Sequence, residues 1–467
     1  MPSWKRSCKK PPPPEQLPSP PRPPVPRARR QHFPLLHVRL VLRGILHIPM
    51  SLRAAVANIG LIGDEGFTSA EAELDEVPTA ECGRWWLLRV GLYEIRRPKE
   101  QAEDWIWLVD HTIQLGTTRV LVIVGVRVSA WEAGGRGALK HQDLQVLLLE
   151  PVQKSNADVV QAQLERAAQA GGAPRAIVSD QSRELGLAIE QFQAAHPQTL
   201  HLHDIKHRLA LFLEHRLKPD PRWGEFLSAC QTMRKKSQQT PLAFLSPPAT
   251  KEKARFMNVD SLIRWATLTG KFLDNPQMPP GQTLDRERLE SVFGELRQHE
   301  AAVSQWQSLI DLIDLTLEHV RQDGYYAGCA ADLRRTLTPA AADPEAQDFV
   351  EDVVAFVRQQ SVSLAPREHL PGSSEVIESL IGKGKRLEGQ QSKSGFTRMV
   401  LGLAAAVVKP TNEYLQQALE TVGVKHVAQW AKQHLGPSIQ ALRQQTLGRL
   451  SAEQKRDKDP APATAGF

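Results

Sequence analysis

The chain has 467 residues, of which 41% are hydrophobic, and a formal net charge of +6. This length allows two to four domains, and the apolar content is enough for a sizeable core. No apolar run reaches the ~18 residues of a membrane-spanning helix, and the first 36 residues contain no apolar stretch typical of a secretory signal. Four widely spaced cysteines without a Cys-x-x-Cys pair exclude zinc fingers and a disulfide framework. We therefore expect a soluble, intracellular protein with no membrane partner.

Residues 1–36 are predicted to form a disordered, basic, proline-rich tail. Residues 1–34 contain 12 of the 34 prolines and eight Lys/Arg against one Glu, a net charge of +7, so the rest of the chain sums to −1. Because the positive charge is concentrated there, we expect the tail to contact phosphate groups of a nucleic acid.

Residues 37–98 are predicted to form a helical domain. Apolar residues recur at helical spacing in residues 38–46, 51–63 and 82–91. Three short helices with a turn between the last two fit a DNA-binding helix-turn-helix module. A small helical bundle that packs on the next domain fits the same pattern equally well, so both alternatives stay open.

Residues 99–221 alternate between strand and helix patterns. Continuous apolar runs, typical of strands buried on both faces, predict strands at 105–110, 118–128, 144–152, 175–180 and 199–203. Helical spacing predicts helices at 156–170, 185–195 and 205–217. The order indicates an α/β domain.

The rest of the chain reads as helical. Strand patterns are absent from residues 222–370, which we interpret as an all-helical insertion. Residues 371–408 return to the core with a helix that starts at Ser373 or Ser374, residues 409–450 form C-terminal helices, and residues 451–467 form a second disordered tail.

Asp110 and Asp180 each close an apolar strand. If these strands are neighbours, the two carboxylates meet in the crevice at the sheet edge where ligands usually bind. Paired hard oxygen ligands suit Mg²⁺ or Mn²⁺, and two such ions roughly 3.5–4 Å apart can catalyse phosphodiester chemistry. Alternatively, each Asp is only a turn former or a helix cap.

With these two acids, the strand order resembles the RNase H-like core of DDE transposases. The segment Asp204-Ile-Lys-His207 resembles the (Cys/Asp)-x-x-His signature of hAT- and Mutator-like transposases, which a helical insertion follows. Residues 373–380 resemble the Mutator-type helix that carries the third catalytic Glu within an I-E-S/R stretch. On that alignment Glu378 is the catalytic acid. Glu375 lies in the first helical turn, where the helix dipole favours a carboxylate whatever its function.

The resemblance implies that Asp110, Asp180 and Glu378 bind Mg²⁺ or Mn²⁺ and catalyse DNA cleavage at transposon ends and strand transfer into target DNA. Bacterial families with a Tyr-x-x-Arg-x-x-x-Glu pattern are excluded, since Pro371 and Ser374 stand at the Tyr and Arg positions.

A basic stripe follows the third acid along the same helix. Lys385 lies seven residues after Glu378, where several transposase families keep a DNA-binding basic residue, and Lys383 and Arg386 flank it. This stripe is suited to a phosphate backbone. A solvated helix face is the alternative.

Three further residues are candidates for DNA contacts. The resemblance implies that Asp204 and His207 either buttress the active site or contact DNA. Trp265 is a candidate for the insertion-domain tryptophan that hAT-type enzymes stack against a base, although core packing explains it as well. The histidines near His207 are not spaced for a zinc site.

The sequence therefore predicts a DDE transposase with an RNase H-like mixed sheet, a large helical insertion and helical terminal regions. Its partner is double-stranded DNA, and the resemblance implies a homo-oligomer that acts in the bacterial cytoplasm at the nucleoid. One alternative is a catalytically silent, domesticated DNA-binding protein, against which the intact acids count. Another is an RNase H-like nuclease, against which the long insertion and the N-terminal helices count.

Overall fold

The computed structural model describes residues 26–64, 76–113, 117–180, 182–249, 259–280, 282–389 and 396–458, with side chains of the last helix up to residue 448. Most of the predicted N-terminal tail and the last nine residues of the predicted C-terminal tail lie outside these ranges. The chain divides into two compact units, Met1–Tyr93 with Lys409–Val427, and Glu94–Val408 with Ala428–Phe467. Among the described helices, none has the length and apolar character needed to cross a membrane.

In chain order the α-helices are α1 (Leu35–Leu46), α2 (Leu52–Asp64), α3 (Ala80–Arg96), α4 (Val128–Ala133), α5 (Ala157–Gly171), α6 (Arg183–Ala195), α7 (Ile205–Leu217), α8 (Pro221–Ser237), α9 (Asp260–Asp274), α10 (Arg286–Phe293), α11 (Glu300–Asp323), α12 (Cys329–Leu337), α13 (Pro344–Ser361), α14 (Glu375–Gly389), α15 (Leu401–Ala405), α16 (Asn412–Thr421), α17 (Val424–His434) and α18 (Ile439–Lys458). The strands are β1 (Trp105–Ile113), β2 (Arg119–Arg127), β3 (Gln145–Val152), β4 (Ala176–Ser179), β5 (Leu200–His203), β6 (Tyr325–Tyr326) and β7 (His369–Leu370).

In the first unit α1 packs against α2 and α16. The apolar residues of α1 recur at helical spacing and are buried, as in Val38, Val41 and Ile45. The guanidinium of Arg89 donates to the carbonyl oxygens of Leu419 and Val422, which are free acceptors at the C-terminal end of α16. These contacts join residues 409–427 to the N-terminal helices.

Part of α3 is buried within the first unit. Trp86, Leu87 and Arg89 are buried, so this part of the helix cannot enter a DNA groove. Residues 65–75, between α2 and α3, lie outside the described residues. The burial favours the helical bundle, and the helix-turn-helix module stays a prediction.

The second unit contains a five-stranded sheet in the order β3-β2-β1-β4-β5. The pairs β1–β2 and β2–β3 are antiparallel, while β1–β4 and β4–β5 are parallel. This order and mixture of directions define an RNase H-like fold, and the predicted fold class is confirmed.

The two faces of this sheet carry different helices. Trp105, Trp107 and Val109 of β1 belong to the hydrophobic core that the sheet forms with α5 and α6. Because side chains alternate along a strand, Ile106, Leu108 and Asp110 lie on the opposite face. Helix α14 packs against β1. Its own buried apolar residues lie on one side: Val376, Ile377, Leu380, Ile381 and Leu387.

The region between residues 222 and 370 is helical, as expected, except at its end. Strand β6 pairs with β7 in a small antiparallel sheet that the sequence analysis missed. Two-residue strands are too short to give a period-2 pattern. Gly324, with φ of 69°, permits the turn into β6, because a Cβ there would lie 2.3 Å from the carbonyl oxygen of Leu370.

The first buried residues and the end of the last helix differ from those expected from the sequence. Ala28 and Leu35 are buried and α1 begins at Leu35, so the predicted tail of residues 1–36 is too long. At the other end α18 continues to Lys458, beyond residue 450, where we expected helix to end. Both segments are polar and rich in proline or charge, so composition alone does not show where the N-terminal tail ends or where the last helix ends.

Candidate active site

Asp110 and Asp180 lie next to each other at the edge between β1 and β4. The parallel register pairs Val109 with Ser179, so the two acids occupy the next position on each strand. Asp180 follows the last residue of β4, whereas Asp110 lies inside β1, which continues three residues beyond the predicted end. Adjacent strands are about 4.8 Å apart, which brings the two carboxylates to one sheet edge.

The electrostatics of Asp110 reflect this proximity. Burial raises its pKa to about 7, and the negative charges of Asp180 and Glu378 act in the same direction. Its Oδ1 accepts a hydrogen bond of 2.6 Å from the backbone N–H of His111. Oδ1 of Asp180 accepts from the N–H of Ser182 at 3.1 Å, so Asp180 also has the turn-forming contact considered from the sequence. Acidic groups from two other parts of the fold therefore act on Asp110.

The segment before α14 approaches the core closely at Gly372. A Cβ at this position would lie 2.7 Å from Cγ1 of Val320 and 2.8 Å from Cε2 of Tyr325, so only glycine fits. The carbonyl oxygen of Gly372 accepts a hydrogen bond of 3.0 Å from the N–H of Ile205. The fully buried Tyr325 donates its hydroxyl to the carbonyl oxygen of His203 at 3.0 Å. These contacts fix the start of α14 beside the start of α7.

The carboxylate of Asp204 joins the beginnings of α7 and α14. Its Oδ1 accepts from the N–H of His207 at 2.8 Å, as an N-cap does. Its Oδ2 accepts from the N–H of Ser374 and, at 2.6 Å, from the Ser374 hydroxyl. The side chain is only 1% exposed. Burial alone would raise the pKa of Asp204, but the hydrogen bonds from His207 and Ser374 lower it. Of its two predicted roles, buttressing the site fits this burial and a direct DNA contact does not.

Glu375 and Glu378 of α14 have different partners. Glu375 forms a bidentate pair with the Arg321 guanidinium of α11, with both N–O distances at 2.7 Å. This pairing lowers the pKa of Glu375 although burial opposes it. The Lys206 ammonium is 3.5 Å from Oε1 of Glu375 and 3.0 Å from Oε2 of Glu378.

Glu378 is further contacted by His207. Nε2 of His207 is 3.4 Å from Oε1 of Glu378, and its Nδ1 is 3.2 Å from Oδ1 of Asp204. Burial alone would lower the pKa of His207, but Asp204 and Glu378 raise it to about 9. His207 is therefore an imidazolium at neutral pH, held between two carboxylates.

In the part of the chain that the structure describes, no three His, Cys, Asp or Glu side chains are grouped closely enough to hold a metal ion. The donor chemistry nevertheless fits Mg²⁺ or Mn²⁺, which prefer carboxylate oxygens. Asp110 and Asp180 share an edge at which like charge contributes to the raised pKa of Asp110, and a divalent cation would relieve that repulsion. Glu378 instead faces Lys206 and His207.

The predicted DNA-binding residues lie in two places. On α14, Lys385 and Arg386 are exposed and Lys383 is half-buried. In the helical insertion, the half-buried Trp265 donates its Nε1–H to the carbonyl oxygen of Leu245 at 2.9 Å. It lines a groove of about 480 Å³ together with Phe244, Phe272 and other residues.

Sequence reasoning missed three residues of this site: Lys206, Arg321 and Ser374. Lys206 lies inside the Asp204-Ile-Lys-His207 segment, but that signature leaves the position variable. Arg321 comes from a helix more than fifty residues before Glu375, and nothing in the pattern of α11 marks it. Only the tertiary contacts reveal these partners.

The topology and the acidic edge thus define a protein with an RNase H-like core and a carboxylate-rich candidate active site. No protein-family model matches the sequence, and no curated protein matches it. Among solved structures, the chain is similar to a chain of the Drosophila P element transposase strand transfer complex, with 12% identity and a TM-score of 0.41. The similarity covers 83% of this chain and 94% of the other. It is too low to transfer function, so function is inferred from this chain's own topology and side chains.

Proposed function

We propose that this protein is a DDE-type DNA transposase, which cleaves DNA at the ends of a mobile element and joins the released strand to target DNA. The main support is the position of Asp110 and Asp180 on adjacent parallel strands of an RNase H-like sheet, on the face against which α14 packs. Glu378 on that helix acts electrostatically on Asp110. These are the acids that the resemblance to DDE transposases selects.

In this proposal Asp110, Asp180 and Glu378 hold Mg²⁺ or Mn²⁺, which when bound would activate an attacking hydroxyl and stabilise the leaving oxygen of a phosphodiester. The chain's own groups prepare these acids. The N–H groups of His111 and Ser182 orient the two aspartates. With a pKa of about 7, Asp110 holds a proton in part of the metal-free molecules at neutral pH and must lose it to become a ligand.

DNA contacts are proposed for both predicted places. The exposed Lys385 and Arg386 are available to bind backbone phosphates, with Lys383 beside them on α14. The ring of Trp265 lines a groove with Phe244 and Phe272, and stacking on a DNA base fits such an aromatic surface. We further propose that double-stranded DNA is bound by a homo-oligomer.

The proposal is tested with the full-length protein and a plasmid that carries the gene with its flanking genomic DNA. We expect Asp110→Asn, Asp180→Asn and Glu378→Gln each to reduce Mg²⁺-dependent strand cleavage on the order of 10³-fold or more, because each removes a charged metal ligand. DNA binding, measured by gel shift in EDTA, should stay within about threefold of wild type. Glu375→Gln is the matched control, since Arg321 already pairs with Glu375.

The products distinguish the competing functions. Sequenced joints between the element and new target sites support a transposase, whereas breaks without joints indicate an RNase H-like nuclease. Binding without any Mg²⁺- or Mn²⁺-dependent cleavage by the wild type indicates a catalytically silent DNA-binding protein. If Glu375→Gln abolishes cleavage and Glu378→Gln does not, the third acid is Glu375.

A further inference from the structure

Lys206 occupies a position fixed by the shared cap of two helices. Asp204 accepts hydrogen bonds from the first turn of α7 and from Ser374 just before α14. Because both helices start at one buried carboxylate, the first turn of α7 faces the first turn of α14. Lys206 is the second residue of α7, and its side chain meets the two glutamates of α14.

The ammonium group of Lys206 lies closer to Glu378 than to Glu375. Its Nζ donates to Oε2 of Glu378 at 3.0 Å and is 3.5 Å from Oε1 of Glu375. Glu375 already has both oxygens bound by Arg321, so it does not need Lys206 for charge neutralisation. Glu378 has cations on both oxygens, Lys206 on one and His207 on the other.

The ammonium group of Lys206 is also able to leave Glu378. Its side chain is 30% exposed, and a lysine ammonium is a point charge on a flexible stem that can exchange one partner for another. Arg321, in contrast, is fixed by the bidentate geometry of its pair with Glu375. Of these two cations, Lys206 is therefore the one suited to reversible pairing.

We propose that Lys206 is a resident cation that holds Glu378 in the metal-free protein and competes with the divalent cation for that carboxylate. The inference rests on the proposed function of Glu378. Lys206 is a positioning residue on this account. It keeps the third acid ordered before the metal site is complete, and it lowers the affinity for the divalent ion by competition and by charge repulsion.

The test measures Mn²⁺ binding to the full chain without DNA, from the electron paramagnetic resonance signal of free Mn²⁺. Lys206→Gln should lower the Kd for Mn²⁺ by about 3- to 10-fold, because both competition and repulsion are removed. Lys206→Arg keeps the charge and should leave the Kd at or above the wild-type value, because an arginine can hold Glu378 in a bidentate pair. Lys218→Gln makes the same charge change just after α7, at a side chain that is 72% exposed, and should leave the Kd unchanged.

A double variant links the effect to Glu378. If Lys206 acts through this carboxylate, Lys206→Gln adds little to the Kd of Glu378→Gln. An unchanged or higher Kd in Lys206→Gln, with circular dichroism equal to wild type, overturns the inference but leaves the proposed function intact. The proposed function fails separately if Mn²⁺ binding by the wild type is absent or is unaffected by Asp110→Asn and Asp180→Asn.

Discussion

The two sides of the candidate site handle negative charge in opposite ways. On the sheet side, Asp110 and Asp180 lie together at a strand edge, and burial and like charge raise the pKa of Asp110 to about 7. On the helix side, at the junction of α7 and α14, cations meet both glutamates: Arg321 meets Glu375, and Lys206 and His207 meet Glu378.

The difference teaches that the helix side supplies its own counter-charges, whereas the sheet side favours the protonated form of Asp110. Asp204 and Glu375 in the helix junction have lowered pKa values and favour the folded state when they are ionised, whereas Asp110 at the sheet edge costs stability when it ionises.

The largest change in the free energy of unfolding should come from replacing Asp204 on the helix side. Asp204→Ala removes a buried carboxylate that accepts from both Ser374 and His207, and leaves these donors unsatisfied. We expect the free energy of unfolding to fall by about 3–5 kcal/mol. Urea denaturation followed by tryptophan fluorescence measures this.

Asp285→Ala is the control, because the exposed Asp285 caps a single helix through the N–H of Arg288. The cost there should be about 1 kcal/mol. Equal effects of the two substitutions would mean that Asp204 does not join α7 to α14.

The second substitution, on the sheet side, should raise the free energy of unfolding, whereas the first lowers it. The folded pKa of Asp110 is raised from 3.8 to about 7, so the metal-free protein loses stability as pH rises from about 4 to about 7. Asp110→Asn mimics the protonated form and should therefore stabilise the protein at pH 8 in EDTA by up to about 4 kcal/mol. At pH 4 the gain should vanish. The same urea denaturation at both pH values checks this, and a gain that is equal at both would contradict the assigned pKa.

The smallest effect should appear on the outer surface of α14. Lys385→Gln removes one exposed charge seven residues after Glu378. We expect affinity for a random-sequence DNA duplex to fall about two- to threefold and the slope of log K against log salt to decrease by about 0.9. Fluorescence anisotropy across a salt series measures both. Lys218→Gln is the matched control, and identical losses in the two variants would show that Lys385 contributes only to net charge.

Much of the fold could be predicted from the sequence because its strands are buried on both faces. The long apolar runs at β1, β2 and β3 are typical of such strands, and each predicted strand of the five-stranded sheet is present. The small β6–β7 sheet could not be predicted, since two residues carry no periodicity. The choice between a helix-turn-helix module and a helical bundle could not be made from the sequence, because three amphipathic patterns predict helices but not which face of each helix is buried.

For the site, the sequence by itself determined which acids come at the edge of the sheet. Asp110 and Asp180 each close an apolar run typical of a strand that is buried on both faces, and Glu378 stands at helical spacing before a basic stripe. The tertiary structure decided how these acids are neutralised. Lys206, Arg321 and Ser374 are brought to α14 by a shared buried cap and a distant helix, and no local pattern encodes contacts that depend on the packing of separate elements.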